Sequence, residues 1–197
     1  TRVRAWQGIP DITVDNAEQI TVLERPPWDA DMDLTNHAVD VPLSDVVAGP
    51  SRVGMKTRGM LVSVREDSGF IKRCTECRRV LRDGACFDHG ANEGTEDVRL
   101  RLVVDHEGVT AAVLVNKEAS LAALGLSLEE MRGKVEELGD VGFVQHVREL
   151  LLGRNIVVSG RSIVDDQGAM VLADGFEVEA HDAQMRASEL RMQWGWA

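Results

Sequence analysis

This chain has no tyrosine, and four phenylalanines with four tryptophans are the only large rings it carries. Lysine is nearly as scarce, since Lys56, Lys72, Lys117 and Lys134 stand against eighteen arginines. Acidic residues number 33 against 22 basic ones, a formal charge of −11. A surface this acidic and lysine-poor suits a protein that stays soluble in concentrated salt, as in a halophile, while a GC-rich genome alone would also favour arginine. No apolar run approaches the ~18 residues of a membrane span, and no leader-like start is visible, so a cytoplasmic protein is expected. Cysteine is limited to three. An odd number leaves one thiol over in any disulfide framework, and disulfides are not expected. His37, His106, His146 and His181 lie in no context that pairs them with a nucleophile, and Ser or Cys triad signatures are missing. The acids Glu129, Glu130, Glu136 and Glu137 read as solvated helix faces. No enzyme is expected.

The cysteines that are present all fall in one stretch, Phe70 to Gly90, which reads FIKRCTECRRVLRDGACFDHG. It holds two knuckles, Cys74 with Cys77 and Cys86 with His89. Zinc prefers four soft or borderline ligands at tetrahedral angles, and a CxxC or CxxH turn lets two side chains reach one ion from a tight bend. Asp83 and Gly84 between the knuckles are a two-residue hairpin signal that would fold the second pair back onto the first. A redox CxxC pair is the competing reading, but such motifs belong at a strand-to-helix junction, whereas Arg78 to Ala85 reads as a hairpin. Four protein ligands leave no open position for water, so one structural Zn²⁺ is expected rather than a catalytic ion.

Along the chain, Val3–Trp6, Ile12–Val14 and Ile20–Leu23 are strand-like pieces too few to close a sheet of their own. From 24 to 50 the composition is that of an acidic, Pro-containing linker, with Pro26, Pro27, Asp29, Asp31, Asp33 and Asp40, and Val41–Val47 can form a short helix before Gly49 and Pro50. A domain is expected over 51–178. Met60, Val62 and Val64 alternate with other residues, as do Val98, Leu100, Leu102 and Val104, and the turn 105–108 leads to a third strand, Val109–Val115. A helical interval follows. Ser127 and Glu130 have capping-box spacing, Gly139 is placed to end a helix, and a second helix spans Val141–Leu152. Strands return at Ile156–Val164 and Ala169–Ala173, and Ala180–Met192 reads as a C-terminal helix with Ala183, Ala187, Leu190 and Trp194 on one stripe. Three strands, a helical crossover and two strands describe a mainly β, five-stranded OB-fold barrel, with the zinc-binding hairpin inserted between strands 1 and 2 and a helix after strand 5. Gly59 and Gly160 lie inside strands 1 and 4, where so small a barrel needs sharp coiling or a bulge.

From about Pro42 to Glu177 the chain resembles the zinc-containing OB domain of archaeal replication protein A, a single-stranded DNA-binding family. The matching pieces are Leu43–Arg52 (LSDVVAGPSR), Gly59–Val64 (GMLVSV), the cysteine segment, Asp97–Asp105 (DVRLRLVVD) and Val158–Phe176. Residues 1–23, with Val3, Arg4, Trp6, Gly8 and Pro10, are similar to the end of the OB domain that precedes it in longer members. The resemblance implies sequence-tolerant binding of single-stranded DNA in replication, repair and recombination, a nucleoid-associated location, and a haloarchaeal source given the composition.

Charge is distributed unevenly. From Arg52 to Arg82 nine basic residues face three acidic ones, against the −11 of the whole. Such a stripe lets phosphates find one groove while the remaining surface repels them, although arginines near zinc thiolates also serve to neutralise the cluster. The candidate phosphate contacts are Arg58, Arg65, Lys72, Arg73, Arg78, Arg99, Arg101 and Arg161. Phe70 and Phe87 are the candidate stacking platforms, with packing at the hairpin base the competing role for Phe70. A rival reading makes the chain an assembly module, its C-terminal helix with Trp194 and Trp196 docking a sister subunit or a second copy. An RNA-directed barrel stays open, because 2′-hydroxyl discrimination leaves no short motif.

Overall fold

The structure, a computed structural model, describes residues 2–6, 9–25, 38–166, 168–179 and 183–196. The Pro and Asp run at 26–37, Gly8, and positions 180–182 of the expected C-terminal helix lie outside the described residues. Strands β1 (Arg2–Trp6) and β2 (Ile9–Thr13) pair antiparallel, and among the described residues with each other only. Val3, Ile12, Ile20 and Val22 around them are exposed.

The barrel begins earlier than composition indicates. β3 (Val39–Asp40) runs parallel to the start of the long strand β4 (Arg52–Val64), and helix α1 (Leu43–Ala48) intervenes in sequence. Val41, Leu43 and Val46 are buried in the main core, so from β3 onward the supposed linker is part of the domain. Three apolar side chains among acids and prolines carry too weak a periodicity to reveal this. Pro42 precedes the first helical residue, with no side-chain cap hydrogen bond.

β4 is long enough to be shared by two neighbours. Arg52 to Met60 pair with β10 (Asn155–Asp165), and Met60 to Val64 pair with β8 (Thr95–His106). β8 turns into β9 (Val109–Val115), which lies parallel to β11 (Gly168–Val178), and β11 returns antiparallel to β10. The five strands therefore close in the order β4-β8-β9-β11-β10, the connectivity of an OB barrel. Two glycines make closure possible. A Cβ at Gly59 would sit 2.8 Å from the Asp105 carbonyl oxygen, where β4 passes from one neighbour to the other. At Gly160, with φ +149°, a Cβ would lie 2.2 Å from the Leu172 carbonyl oxygen, beside the register shift of the β10–β11 pair.

The alternation expected for strand 2 is observed: Val98, Leu100, Leu102 and Val104 are buried, and Arg99 and Arg101 lie on the opposite face. Strands 1, 4 and 5 run further than their apolar alternation indicates. The fifth extends from Gly168 to Val178, because pairing with β10 carries it through Asp174 and Gly175. The crossover contains a helix that periodicity does not show, α2 (Lys117–Leu124). Asn116 caps it, accepting from the Ala119 amide at 2.8 Å, and Gly125 ends it at φ +63°. The Ser127–Glu130 capping box opens α3 (Leu128–Leu151), and Gly139, at φ 71° and ψ 169°, interrupts it where a break is expected. Met131, Phe143, Val144, Val147 and Leu151 from α3 are buried in the same cluster as the barrel's inward residues. Truncating a ring buried like Phe143 typically costs about 3–5 kcal/mol. Helix α4 (Ala183–Gln193) ends the chain, followed by exposed Trp194 and Trp196 in edge-to-face contact at 5.1 Å. No helix among the described residues is long and apolar enough to cross a membrane.

Candidate functional site

The cysteine module projects from the connection between β4 and β8. β5 (Gly69–Arg73) lengthens the sheet by pairing with Thr95–Arg99 of β8, which sets the module's two ends side by side. Within it β6 (Ala85–Cys86) and β7 (Gly90–Ala91) form a short pair. Asp83 (φ 50°) and Gly84 (φ 76°) make the expected two-residue turn, with Arg82 and Ala85 exchanging backbone hydrogen bonds of 3.0 and 2.9 Å. Asn92 ties the ends, donating to Thr75 Oγ1 at 3.1 Å and accepting from the Gly94 amide at 2.9 Å.

Cys74, Cys77, Cys86 and His89 converge, with their ligand atoms all within 4.8 Å of one another. Cys77 and Cys86 sulfurs are 3.5 Å apart, and His89 Nδ1 is 3.6 Å from both Cys74 and Cys86 sulfurs. An ion bound at about 2.3 Å to sulfur and about 2.0 Å to nitrogen in a tetrahedron would hold those pairs at about 3.8 and 3.5 Å. The donor set fits a four-coordinate metal ion. Amides prepare the sulfurs: the N–H of Asp88, then that of His89, holds the Cys86 thiol below its ordinary pKa. The Arg79 amide acts likewise on Cys77, but desolvation and the adjacent Cys86 and Cys74 sulfurs outweigh it and push that thiol up. The other imidazole nitrogen, His89 Nε2, faces Glu76 at 3.7 Å, which leaves Nδ1 to the ion.

Beside the module runs a cleft of about 1550 Å³. Its lining comes from the loop after β4, from β5, from the module, from β8 and β9, from Val135, Asp140 and Phe143 of α3, and from Met170 of β11. Six basic side chains border it, Arg65, Lys72, Arg79, Arg82, Arg99 and Arg101, against four acids, Glu66, Asp67, Asp83 and Asp140. Locally the sign is therefore opposite to that of the whole chain.

Of the ten candidate contacts, six border this cleft: Arg65, Phe70, Lys72, Phe87, Arg99 and Arg101. Phe87 projects from the second knuckle with 96% of its surface exposed. Phe70 is half-buried against the core, and the Arg132 guanidinium lies 5.8 Å from its ring centroid. The packing role anticipated for Phe70 is thus occupied, with one ring face already covered by a cation. Arg73 and Arg78 are not among the lining residues. Arg73 Nε pairs with Asp97 and its NH1 donates to the Arg78 carbonyl at 3.2 Å, so it latches the module's base. Arg78 holds a left-handed turn (φ 62°) in the first knuckle. Arg58 is away from the cleft, facing Glu179 at 3.6 Å and Asp40 at 4.0 Å. Arg161 is exposed on β10, also outside it.

Sequence reasoning did not single out Asp67, Arg79, Arg82 or Arg132. Arg79 and Arg82 belong to the basic stripe, so that signal was available. Nothing in the chain's pattern marks Asp67, whose Oδ2 accepts from Arg99 NH2 at 3.0 Å and Arg101 NH1 at 2.6 Å. Desolvation opposes its charge, but the two guanidiniums hold its carboxyl below the ordinary range. Burial in turn lowers Arg99 from its usual value, with Asp67 as the opposing counter-charge.

No family model matches the chain, and neither does any curated protein sequence. Among solved structures, a replication protein A heterotrimer bound to ssDNA superposes with a TM-score of 0.50 at 14% identity, covering 82% of this chain and 41% of that one. That likeness is one of fold, the OB barrel. Yeast RPA bound to ssDNA gives a TM-score of 0.43 at 13% identity, over 71% of this chain and 84% of that one. The S. pombe Stn1-ten1 complex gives 0.31 at 13% identity, over 74% and 72%. This chain spans about two-fifths of the heterotrimer chain it matches.

Proposed function

We propose that the chain binds single-stranded DNA with little regard for sequence, as a non-catalytic OB domain of the replication protein A kind serving replication, repair and recombination. The observation that carries this is the cleft: six basic side chains on a chain of net charge −11, with a nearly fully exposed phenylalanine on its rim. Phosphates are drawn to this groove, where basic side chains outnumber acidic ones, and any base can stack on Phe87, since every base has a flat face. The similar fold of a heterotrimer bound to ssDNA supports the same reading. The working contacts are Arg65, Lys72, Arg99 and Arg101 with Phe87. Arg58, Arg73, Arg78 and Arg161 are secondary, because they face carboxylates, hold the module or lie on other surfaces.

The Cys3His cluster would hold one structural zinc. Bound there, the ion would pin the module that carries Phe87, Arg79 and Arg82 beside the groove; four protein ligands leave it no site for chemistry. The composition fits a salty, haloarchaeal cytoplasm and a nucleoid-associated life. Counterion release is then worth less and stacking carries a larger share. Residues 1–23 are read as the tail of a preceding OB-like domain.

Titration of a labelled oligo-dT from low to high salt tests the reading. Binding with a shallow salt slope is expected, and no detectable binding at low salt refutes it. The same titration with oligo-rU separates the RNA-directed version. A second reading, a subunit-docking module, is favoured by exposed Met192, Trp194 and Trp196 after the last barrel strand. Deleting 180–197 distinguishes the two: loss of an oligomer with DNA binding intact assigns docking to that helix, and loss of neither removes the assembly reading.

A further inference from the structure

One ion-pair cluster inside the groove ties two of its arginines to a protein carboxylate. Asp67 presents a single carboxylate oxygen to the terminal nitrogens of both Arg99 and Arg101. These terminal nitrogens form the edge a phosphodiester would use. Arg73 is held differently, through Nε by Asp97, the grip of an acid that steadies an arginine from behind. Arg99 Nε is buried and has no hydrogen-bond partner among the described residues, so the grip Asp97 applies to Arg73 has no counterpart there. The loop that carries Asp67 is fixed. Arg65 and Ser68 bond to the Arg101 backbone, the Arg65 amide to its carbonyl at 2.8 Å and the Ser68 hydroxyl accepting from its amide at 2.9 Å. The Asp67 side chain is 48% exposed, against 16% for Arg99 and 39% for Arg101, so it can turn toward solvent without moving the backbone.

We infer that Asp67 is a built-in anionic competitor, occupying between Arg99 and Arg101 the position that a backbone phosphate of the bound strand takes. It sets the affinity of the groove rather than supporting it. A strand entering must displace a carboxylate from two guanidiniums, which lowers the affinity and removes about one unit from the effective count of neutralised phosphates. For a protein that must release its strand, the acid also offers the arginines an alternative partner during dissociation. This inference rests on the single-strand reading given above.

The test is an oligo-dT titration against salt with wild type, Asp67→Asn, Arg101→Gln and the double variant, each checked by thermal melting. Asp67→Asn is expected to bind about tenfold more tightly at low salt, about 1.4 kcal/mol. Its slope of log affinity against log salt should steepen by about 0.7. Most of the gain should vanish in the Arg101→Gln background. If wild type binds but Asp67→Asn binds equally or more weakly at an unchanged melting point, Asp67 positions the arginines and the inference is overturned while the groove reading stands. A gain that survives intact in the double variant also overturns it, since the acid would then act by general repulsion. If neither wild type nor Asp67→Asn binds, the single-strand reading fails and the inference falls with it.

Discussion

Replacing Phe87 with alanine separates a binding role from a structural one more cleanly than any other change in the groove. With 96% of its surface exposed, the ring contributes next to nothing to the core, and burial energy cannot explain why the knuckle carries it. The variant should therefore unfold within ~0.5 kcal/mol of wild type, the range of surface substitutions. Metal uptake at the Cys3His cluster should also be unchanged, because Phe87 neighbours Cys86 and Asp88 but is not one of the four candidate ligands. Binding should change far more. One base stacked on an aromatic ring is worth about 1–3 kcal/mol, so the dissociation constant for oligo-dT should rise roughly 5- to 150-fold. A tryptophan at the same position, flat and larger, should restore it. The assay is fluorescence anisotropy at several salt concentrations, with denaturant unfolding and metal content measured on the same samples. Because stacking is little screened, the loss should persist at high salt, whereas an arginine variant should lose less as salt rises. Unaltered affinity in the alanine variant, or a fall in stability matching the fall in binding, would refute the platform assignment.

Removing one side chain of the candidate Cys3His metal site should unfold the module and spare the barrel. In Cys86→Ser, amide exchange should accelerate across 74–91, where β6 and β7 are two residues each, while β8 and β10 stay protected. Gly160→Ala should cost about 2 kcal/mol or more by denaturant unfolding, since its Cβ would meet the Leu172 carbonyl at 2.2 Å in a conformation that L residues rarely adopt. An unchanged midpoint there would mean the barrel closes differently. Acid sensitivity should reside partly in the Arg73–Asp97 latch. Burial opposes the Asp97 charge, but the Arg73 hydrogen bond and the Val98 amide prevail and hold its pKa below the ordinary value. A depressed carboxylate stabilises the fold above its unfolded pKa and loses that contribution as pH falls through its folded one, so Asp97→Asn should flatten the decline in stability at acid pH.

The elements most legible in the sequence were those with short-range chemical reasons. Cys74, Cys77, Cys86 and His89 needed only knuckle spacing and the Asp83-Gly84 turn to be brought together, and they do converge. Ser127 with Glu130, Gly139, and the alternation from Val98 to Val104 likewise follow from local rules of capping and pleat. The inward positions of Val41, Leu43 and Val46 have no sequence signal beyond a short helix, because their burial comes from packing against the barrel core and not from their neighbours in sequence. α2 escaped notice for a related reason: its signals are an Asn116 cap and a Gly125 stop around eight residues with little amphipathic pattern.

The candidate groove divides in the same way. Composition and spacing were enough to make the Arg52–Arg82 stripe cationic and to set Arg99 and Arg101 on one strand face, because side-chain alternation along a strand is a local property. Which of those cations meet the cleft was decided only by folding. β5 pairs with β8 and swings the module against the barrel, so Arg79, Arg82 and Phe87 reach the groove while Arg73 is consumed by Asp97. Arg58, although in the same stripe, is carried by the β4–β10 pairing to Asp40 and Glu179. Asp67 meets Arg99 and Arg101 across a strand pairing that joins residues more than thirty positions apart. Charge and metal-ligand spacing are written along the chain, whereas the partners of each charge depend on which strands lie next to one another once the barrel has closed.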